Sequence, residues 1–184
     1  MLNIELSQYG LEASVEIDHE IYPLILLAKN TSGYFSLVKI TSDISLSDNK
    51  AIKFDDLVKH QEHLFVLSGC KEGIIERLIL KELDSEALKY LKLFKNSFDN
   101  FYVCLQNHNL AMQHKVNERL VALTLLENIP ICVSNEVRYL ESKEAYTLEL
   151  LQAFSKGQTL DINHEPVTDQ LYLKSSYEME SIFD

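Results

Sequence analysis

The chain has 184 residues, 46% of them hydrophobic, which suits one packed domain of the usual size, roughly 100–200 residues. A formal net charge of −11 with no concentrated lysine–arginine cluster argues against direct nucleic-acid binding, because phosphate backbones are held by clustered cations. Three cysteines without Cys-x-x-Cys spacing argue against a disulfide framework or zinc ribbon and for a reducing, cytoplasmic setting, and no apolar run approaches the ~20 residues of a membrane span.

In chain order, Val15 to Ile17 and Ile21 to Ala28 flank Asp18-His19-Glu20, a polar tip that predicts a hairpin. The second run is so uniformly apolar that both its faces are expected to be buried. Asn30 or Thr31 caps a helix carrying Tyr34, Leu37, Val38 and Ile44, with Gly33 in its first turn costing about 1 kcal/mol against alanine. Phe54 to His60 predicts a short helix with acids early and cations late. A strand is expected at Leu64 to Leu67, then a helix burying Ile74, Ile75, Leu78 and Ile79. Another helix opens at Asp84 or Ser85 and carries Ala87, Leu88, Leu91 and Phe94. The next strand is Phe101 to Leu105. Leu110 to Glu127 predicts a long amphipathic helix with Val116, Leu120, Leu123 and Leu126 among its apolar positions. Ile131 to Val133 is a strand opened by Pro130, Glu141 to Lys156 a helix stopped by Gly157, and Asp161 to Gln170 a loop. Strand–helix alternation predicts a parallel α/β sheet or barrel.

Gly10-Leu11-Glu12, Leu24 to Tyr34, Leu67-Ser68-Gly69-Cys70, Phe101 to His108, Val116-Asn117 and Leu171 to Met179, in that order, resemble the PHP (polymerase and histidinol phosphatase) domain of the bacterial DNA polymerase III alpha subunit. Gly10-Leu11-Glu12 is similar to a Gly-x-Glu strand end, and Leu26-Leu27-Ala28-Lys29-Asn30 with Gly33-Tyr34 to "LLAKNxxGY". Leu67-Ser68-Gly69-Cys70 matches an "LSGC" turn. Phe101 to Gln106 with His108 resembles "FYLELQxH", Val116-Asn117 a "VN" pair, and Tyr172 to Ser175 with Glu178-Met179 "YLKSxxEM". The likeness runs from Gly10 to Phe183 and implies a single partial PHP domain over residues 1–184, with residues 1–9 unmatched. A complete (β/α) barrel needs about 250 residues, so the fold expected is α/β, an incomplete and distorted PHP-type barrel. Leu2, Ile4 and Leu6 alternate with polar residues and offer one replacement strand.

The resemblance also fixes the candidate site and its departures. The family opens on a His-x-His strand followed by further Asp and His ligands, whereas residues 1–9 contain no histidine. Where the family has an imidazole before the "LLAKN" run, this chain has Tyr22-Pro23. Val133-Ser134-Asn135-Glu136-Val137-Arg138-Tyr139-Leu140 stands where an Asn-Asp-Val-His sequence offers a carboxylate and an imidazole. Arginine is permanently cationic and ligates no metal. The implied vestigial set is therefore Glu12, Cys70 and Glu136, with Arg138 replacing one histidine and Pro23 another. Arg138 is expected to pair with Glu12 or Glu136, placing a tethered cation where metals sit in the family.

Other candidates read more simply. His60 and His63 lack the H-E-x-x-H arrangement of metalloproteases, His19 and His164 lie in polar loops, and His108 is a better hydrogen-bonding candidate than His114. Cys104 and Cys132, in apolar strands, read as small hydrophobes. No phosphate loop, nucleotide fingerprint or Ser-His-Asp arrangement is present.

The resemblance implies a PHP fragment of a replicative DNA-directed DNA polymerase, a nucleotidyltransferase that this chain, lacking the palm, does not itself constitute. Expected catalytic and cofactor-binding residues are none. No cofactor is expected, zinc or manganese entering only if the vestigial site works. The leading expectation is a degenerate, non-catalytic scaffold whose partners are the polymerase core or other replisome subunits, the proofreading exonuclease included, without membrane or direct nucleic-acid contact. Self-association through an open sheet edge is a further expectation. The alternatives are a metal-dependent PHP-type phosphoesterase or pyrophosphatase, and a truncated gene product without independent function.

Overall fold

The computed structural model describes residues 9–159 and 167–183. The expected replacement strand at residues 2–6, and His164 with the middle of its loop, lie outside the described residues. The chain forms two compact units, one made of residues 9–105 with Val116–Cys132, the other of Gln106–Lys115 with residues 133–159 and 167–183.

The first unit is built on the hairpin of β1 (Gly10–Ile17) and β2 (Glu20–Ala28). Its two-residue loop places Asp18 at φ 49° and His19 at φ 68°, the left-handed pair of a type I′ turn, whose twist matches that of the strands it joins. The register Ile17↔Glu20 through Gly10↔Leu27 follows from that turn. Tyr90 donates a hydrogen bond to Asp18 and anchors the tip, and this bond, with burial, pushes the Tyr90 phenol up to about 12. β2 also pairs antiparallel with β4 (Leu64–Leu67), β4 pairs parallel with β5 (Phe101–Leu105), and β1 pairs parallel with the two-residue β3 (Ile52–Lys53). With β6 (Ile131–Val133), the order is β3-β1-β2-β4-β5-β6. The sheet is thus mixed rather than parallel: the two-residue connection permits only an antiparallel β1–β2 pair, and β2 runs antiparallel to β4 as well. Among the described residues it is not closed into a barrel, and the open sheet fits an incomplete one.

Period-2 alternation sends Ala13, Val15, Ile17, Leu24, Leu26, Ala28, Leu64, Val66, Phe101 and Val103 to one face, where all are buried. The helices α1 (Thr31–Leu46), α2 (Phe54–Val58), α3 (Ile74–Leu80) and α4 (Asp84–Ser97) supply further core side chains. Phe94 of α4 is fully buried and meets Phe101 edge-on at 5.4 Å and Phe54 in a stack at 5.6 Å. The opposite face is less covered. There Leu67, Cys70 and Cys104 form a small buried cluster against half-buried Ile25, Leu27, Tyr102 and Cys132. The expectation that β2 is buried on both faces therefore holds fully for one face and half for the other.

Two helices turn differently from their apolar spacing. Asn30 Oδ1 caps α1 by accepting from Gly33 N at 3.0 Å, as expected, but the buried stripe is Gly33, Leu37 and Ile40, leaving Tyr34 and Val38 exposed. Gly33 explains the rotation. A Cβ there would sit 2.3 Å from the His63 carbonyl oxygen and 3.2 Å from Ala28 Cα, so the bare glycine lets α1 lie directly on β2. In α5 (Ala111–Glu127) the buried stripe is Val116, Leu120 and Thr124, while Leu126 is exposed. Thr124 is accommodated because its hydroxyl donates to the Val121 carbonyl at 2.9 Å.

The second unit contains α6 (Ala145–Ser155), reached through a single 3-10 turn at Ser142–Glu144, and α7 (Ser176–Phe183). Glu144 Oε2 accepts from Leu140 N at 3.1 Å and Glu141 N at 2.9 Å, closing a capping box before α6.

Gly33→Ala is expected to lower stability by about 1–3 kcal/mol, the strain of an overpacked contact outweighing alanine's better helix propensity. Urea unfolding of the two chains checks this. A raised midpoint in the variant would show that α1 does not depend on the close approach.

Candidate functional site

Glu12, Pro23 and Cys70 all belong to the first unit. Glu12 is exposed on β1 opposite Ile25, and Pro23 sits in β2 opposite Ser14. Cys70 follows β4 in a tight turn, buried, at φ 49°. Its thiol donates to the Ser68 carbonyl at 3.8 Å. The turn is pressed onto β2, since a Cβ on Gly69 would meet the Pro23 carbonyl oxygen at 2.1 Å. Pro23 and Cys70 are thereby gathered at one end of the half-covered face, with Glu12 facing the same side through its partner Ile25.

Glu136 and Arg138 belong to the second unit. Arg138 Nε donates to Glu136 Oε1 at 2.7 Å, and its Nη2 donates to the same oxygen. The side chains are 56% and 39% exposed, and a pair so solvated contributes only about 0–1 kcal/mol. The pair therefore adds little to the stability of the second unit. The backbone around it is held by the closing segment instead. Arg138 N donates to Leu171 O at 2.8 Å, Leu173 N to Tyr139 O at 3.0 Å, and Asn135 Nδ2 to Tyr172 O at 2.7 Å. The octet thus starts on the last residue of β6 and continues as a clasped loop with one parallel bridge among the described residues, Tyr139↔Tyr172.

The closing segment is itself strapped down. Ser175 and Glu178 form an N-terminal box for α7, with Ser175 Oγ and N donating to Glu178 Oε2 at 2.7 and 2.8 Å and Tyr172 OH donating to Oε1 at 2.8 Å. Those bonds, from the Ser175 hydroxyl first, hold the Glu178 carboxyl below its ordinary range. Lys174, 9% exposed, donates to the Gln170 carbonyl and lies 4.2 Å from the Tyr172 ring centroid. Burial lowers its affinity for a proton. Sequence reasoning missed this inward lysine, whose one signal is its place between Tyr172 and Ser175.

His108, 4% exposed, is built into the second unit. Its N–H donates to Gln113 Oε1 at 2.7 Å, its Nδ1 lies 3.1 Å from Gln113 Nε2, and its carbonyl accepts from Thr168 Oγ1 at 2.8 Å. Among the described residues, no three His, Cys, Asp or Glu side chains come together as a metal-binding group. Two polar clefts of about 410 and 620 Å³ flank β3 and share Glu16 and Lys53, and neither is walled by Glu12, Pro23 or Cys70.

Comparison with known proteins matches the PHP domain family over residues 7–108. The chain belongs to that family. Its relatives include the DNA polymerase III subunit alpha of Borreliella burgdorferi, 36% identical over 169 residues and 89% of this chain, and that of Treponema pallidum, 32% identical over 91%. The corresponding subunit of Rickettsia bellii is 26% identical over 95%. The chain spans about 15% of the length of the curated relatives it matches.

Because Glu178 is held below its ordinary range, the α7 box is expected to be intact above the unfolded carboxyl value and to open as pH falls through the folded one. The protection factor of the Ser175 amide, taken against the intrinsic exchange rate at each pH, should fall on acidification in the wild type and be low at every pH in Glu178→Ala. Equal protection in the two chains would refute the box as the strap.

Proposed function

We propose that this PHP region serves a replicative DNA polymerase assembly as a non-catalytic scaffold. The observation that carries the reading is Arg138, which stands at a ligand position and is engaged by Glu136. Metal-assisted phosphoester hydrolysis needs an ion that polarises phosphate and activates water, and an arginine and a proline at two positions where the resemblance implies imidazoles disfavour such an ion. Homology to the DNA polymerase III alpha subunit supports a role within a replisome polymerase.

Surface composition supports docking rather than turnover. On α6, Tyr146, Leu150 and Phe154 repeat at i, i+4 and i+8 and are 38%, 45% and 83% exposed, with Leu151 beside them. Contiguous exposed apolar side chains mark interaction surfaces. The proposed partner is the polymerase core, and a proofreading exonuclease is the second partner considered. With 28 acidic against 17 basic residues, the chain does not serve as a DNA clamp. No helix among the described residues is long and apolar enough to cross a membrane, and the proposed site of action is the cell interior.

The rival reading, a PHP-type phosphoesterase or pyrophosphatase, draws on Glu12 and Cys70 retained on one sheet face. Assay of phosphate release from phosphodiester, phosphomonoester and pyrophosphate substrates with manganese or zinc decides between the two. No release above the protein-free rate is expected. Metal-stimulated release that disappears in Glu12→Ala would overturn the scaffold. Docking is tested separately by titrating the chain against an alpha subunit lacking its homologous PHP region, where Phe154→Asp should weaken binding at least tenfold.

A further inference from the structure

The first unit contains a carboxylic acid that the scaffold reading leaves unused. Glu76, in the first turn of α3, is 3% exposed, although a glutamate is almost never fully buried without a partner. Its Oε1 accepts from Ser68 Oγ at 2.7 Å, and Ser68 Oγ in turn accepts from the Cys104 amide of β5 at 3.1 Å. Oε2 is equally buried and has no hydrogen-bonding partner among the described residues. The turn between Ser68 and Gly73 is folded flat over the carboxyl. A Cβ on Gly73 would stand 2.3 Å from Oε2, and one on Gly69 would stand 2.8 Å from Gly73 Cα. Gly73 N closes the turn by donating to Cys70 O at 2.9 Å.

One hydroxyl and the residue's own amide do not compensate a buried negative charge, which requires a cation or several donors. Among the described residues no cation is paired with Glu76. Facing it from β5 is the Cys104 thiol, whose charge would oppose its own. Lys71 and Glu72 of the turn are exposed, and Arg77, next on α3, is drawn outward to Glu72 at 2.7 Å and over the Tyr22 ring at 5.6 Å.

We propose that Glu76 is a pH-sensitive clasp for the Ser68–Gly73 turn. As the neutral acid it holds Ser68, and through Ser68 the end of β5. As the carboxylate it leaves the apolar interior and the turn opens. The opening step is loss of one proton from the acid to water, with no other bond broken. The turn carries Cys70 and rests on Pro23, so the clasp governs the shape of the half-covered sheet face near neutral pH.

Burial pushes the carboxyl up from 4.5 to about 7, against the hydrogen bonds from Ser68 and from its own amide. The folded state therefore holds the proton more tightly than the unfolded state. The clasp's contribution to stability is full below the unfolded value near 4.5 and is lost as pH rises to about 7.

Carbon-detected NMR of the full chain, with its glutamate carboxyls labelled, tests this. The Glu76 carboxyl should titrate near pH 7, and the Cys104 amide shift should move with the same midpoint. In Glu76→Gln the Cys104 movement should vanish and the urea midpoint should stay flat between pH 5 and 8. In Ser68→Ala the carboxyl should still titrate high while the Cys104 amide no longer follows it. A Glu76 midpoint in the ordinary range near 4.5, or a Cys104 amide fixed from pH 5 to 8 in the wild type, would overturn the proposal. Both readings come from the wild type, so a variant that fails to fold leaves the test intact.

Discussion

The constraint on which the first unit depends is the need to bury β2 from both sides. Ile21 to Ala28 contains no charged residue until the strand has ended, so each of its two side-chain rows exposes apolar surface unless something covers it. Leu24, Leu26 and Ala28 are covered completely by the helical layer. Each such side chain removed from water contributes about 1.5–3 kcal/mol for a leucine. Ile25 and Leu27 on the other row are covered by Leu67, Cys70 and Cys104, which arrive only because the chain turns sharply after β4. The hairpin turn at Asp18-His19, the close seat of α1 over Gly33 and the folded Ser68–Gly73 turn are all local solutions to this one demand.

Much of this was legible in the sequence because β2 announces itself. Its uniform apolarity, the polar tip before it and the Asn30 cap after it located the hairpin and α1 correctly. What escaped was rotation and direction. Tyr34 and Val38 share helical spacing with Leu37, yet the face turned inward is chosen by where backbone approaches backbone, at Gly33 against His63 O. No periodicity records that contact. The mixed sheet was legible only in part, since the hairpin made one antiparallel pair expected while strand–helix alternation elsewhere suggested parallel pairing and gave no sign of the antiparallel β2–β4 pair. The two-residue β3 and α7 are too short or too polar to stand out, and α7 is set by its Ser175–Glu178 box rather than by an apolar stripe.

The candidate site was legible as positions but not as geometry. The resemblance located Glu12, Pro23, Cys70, Glu136 and Arg138, and a pairing between Arg138 and Glu136 does exist. Its exposure changes what it means. A solvated ion pair stabilises little, so the shape of this PHP region rests on apolar packing and on main-chain straps such as Arg138 N to Leu171 O, rather than on a substituted charge. Glu76 escaped altogether, because an acidic residue on a short helix is read as solvent-facing unless the turn above it is known.

A non-catalytic scaffold, as proposed for this PHP region, keeps its fold without a metal ion. An ion that binds only the folded chain raises its stability by mass action, by about 2.7 kcal/mol at a hundredfold excess over the dissociation constant. Thermal unfolding of the purified chain in excess EDTA and in millimolar manganese measures this directly. The same midpoint is expected in both. A midpoint that rises with manganese, and falls back when Glu12 or Glu136 is replaced by alanine, would contradict it.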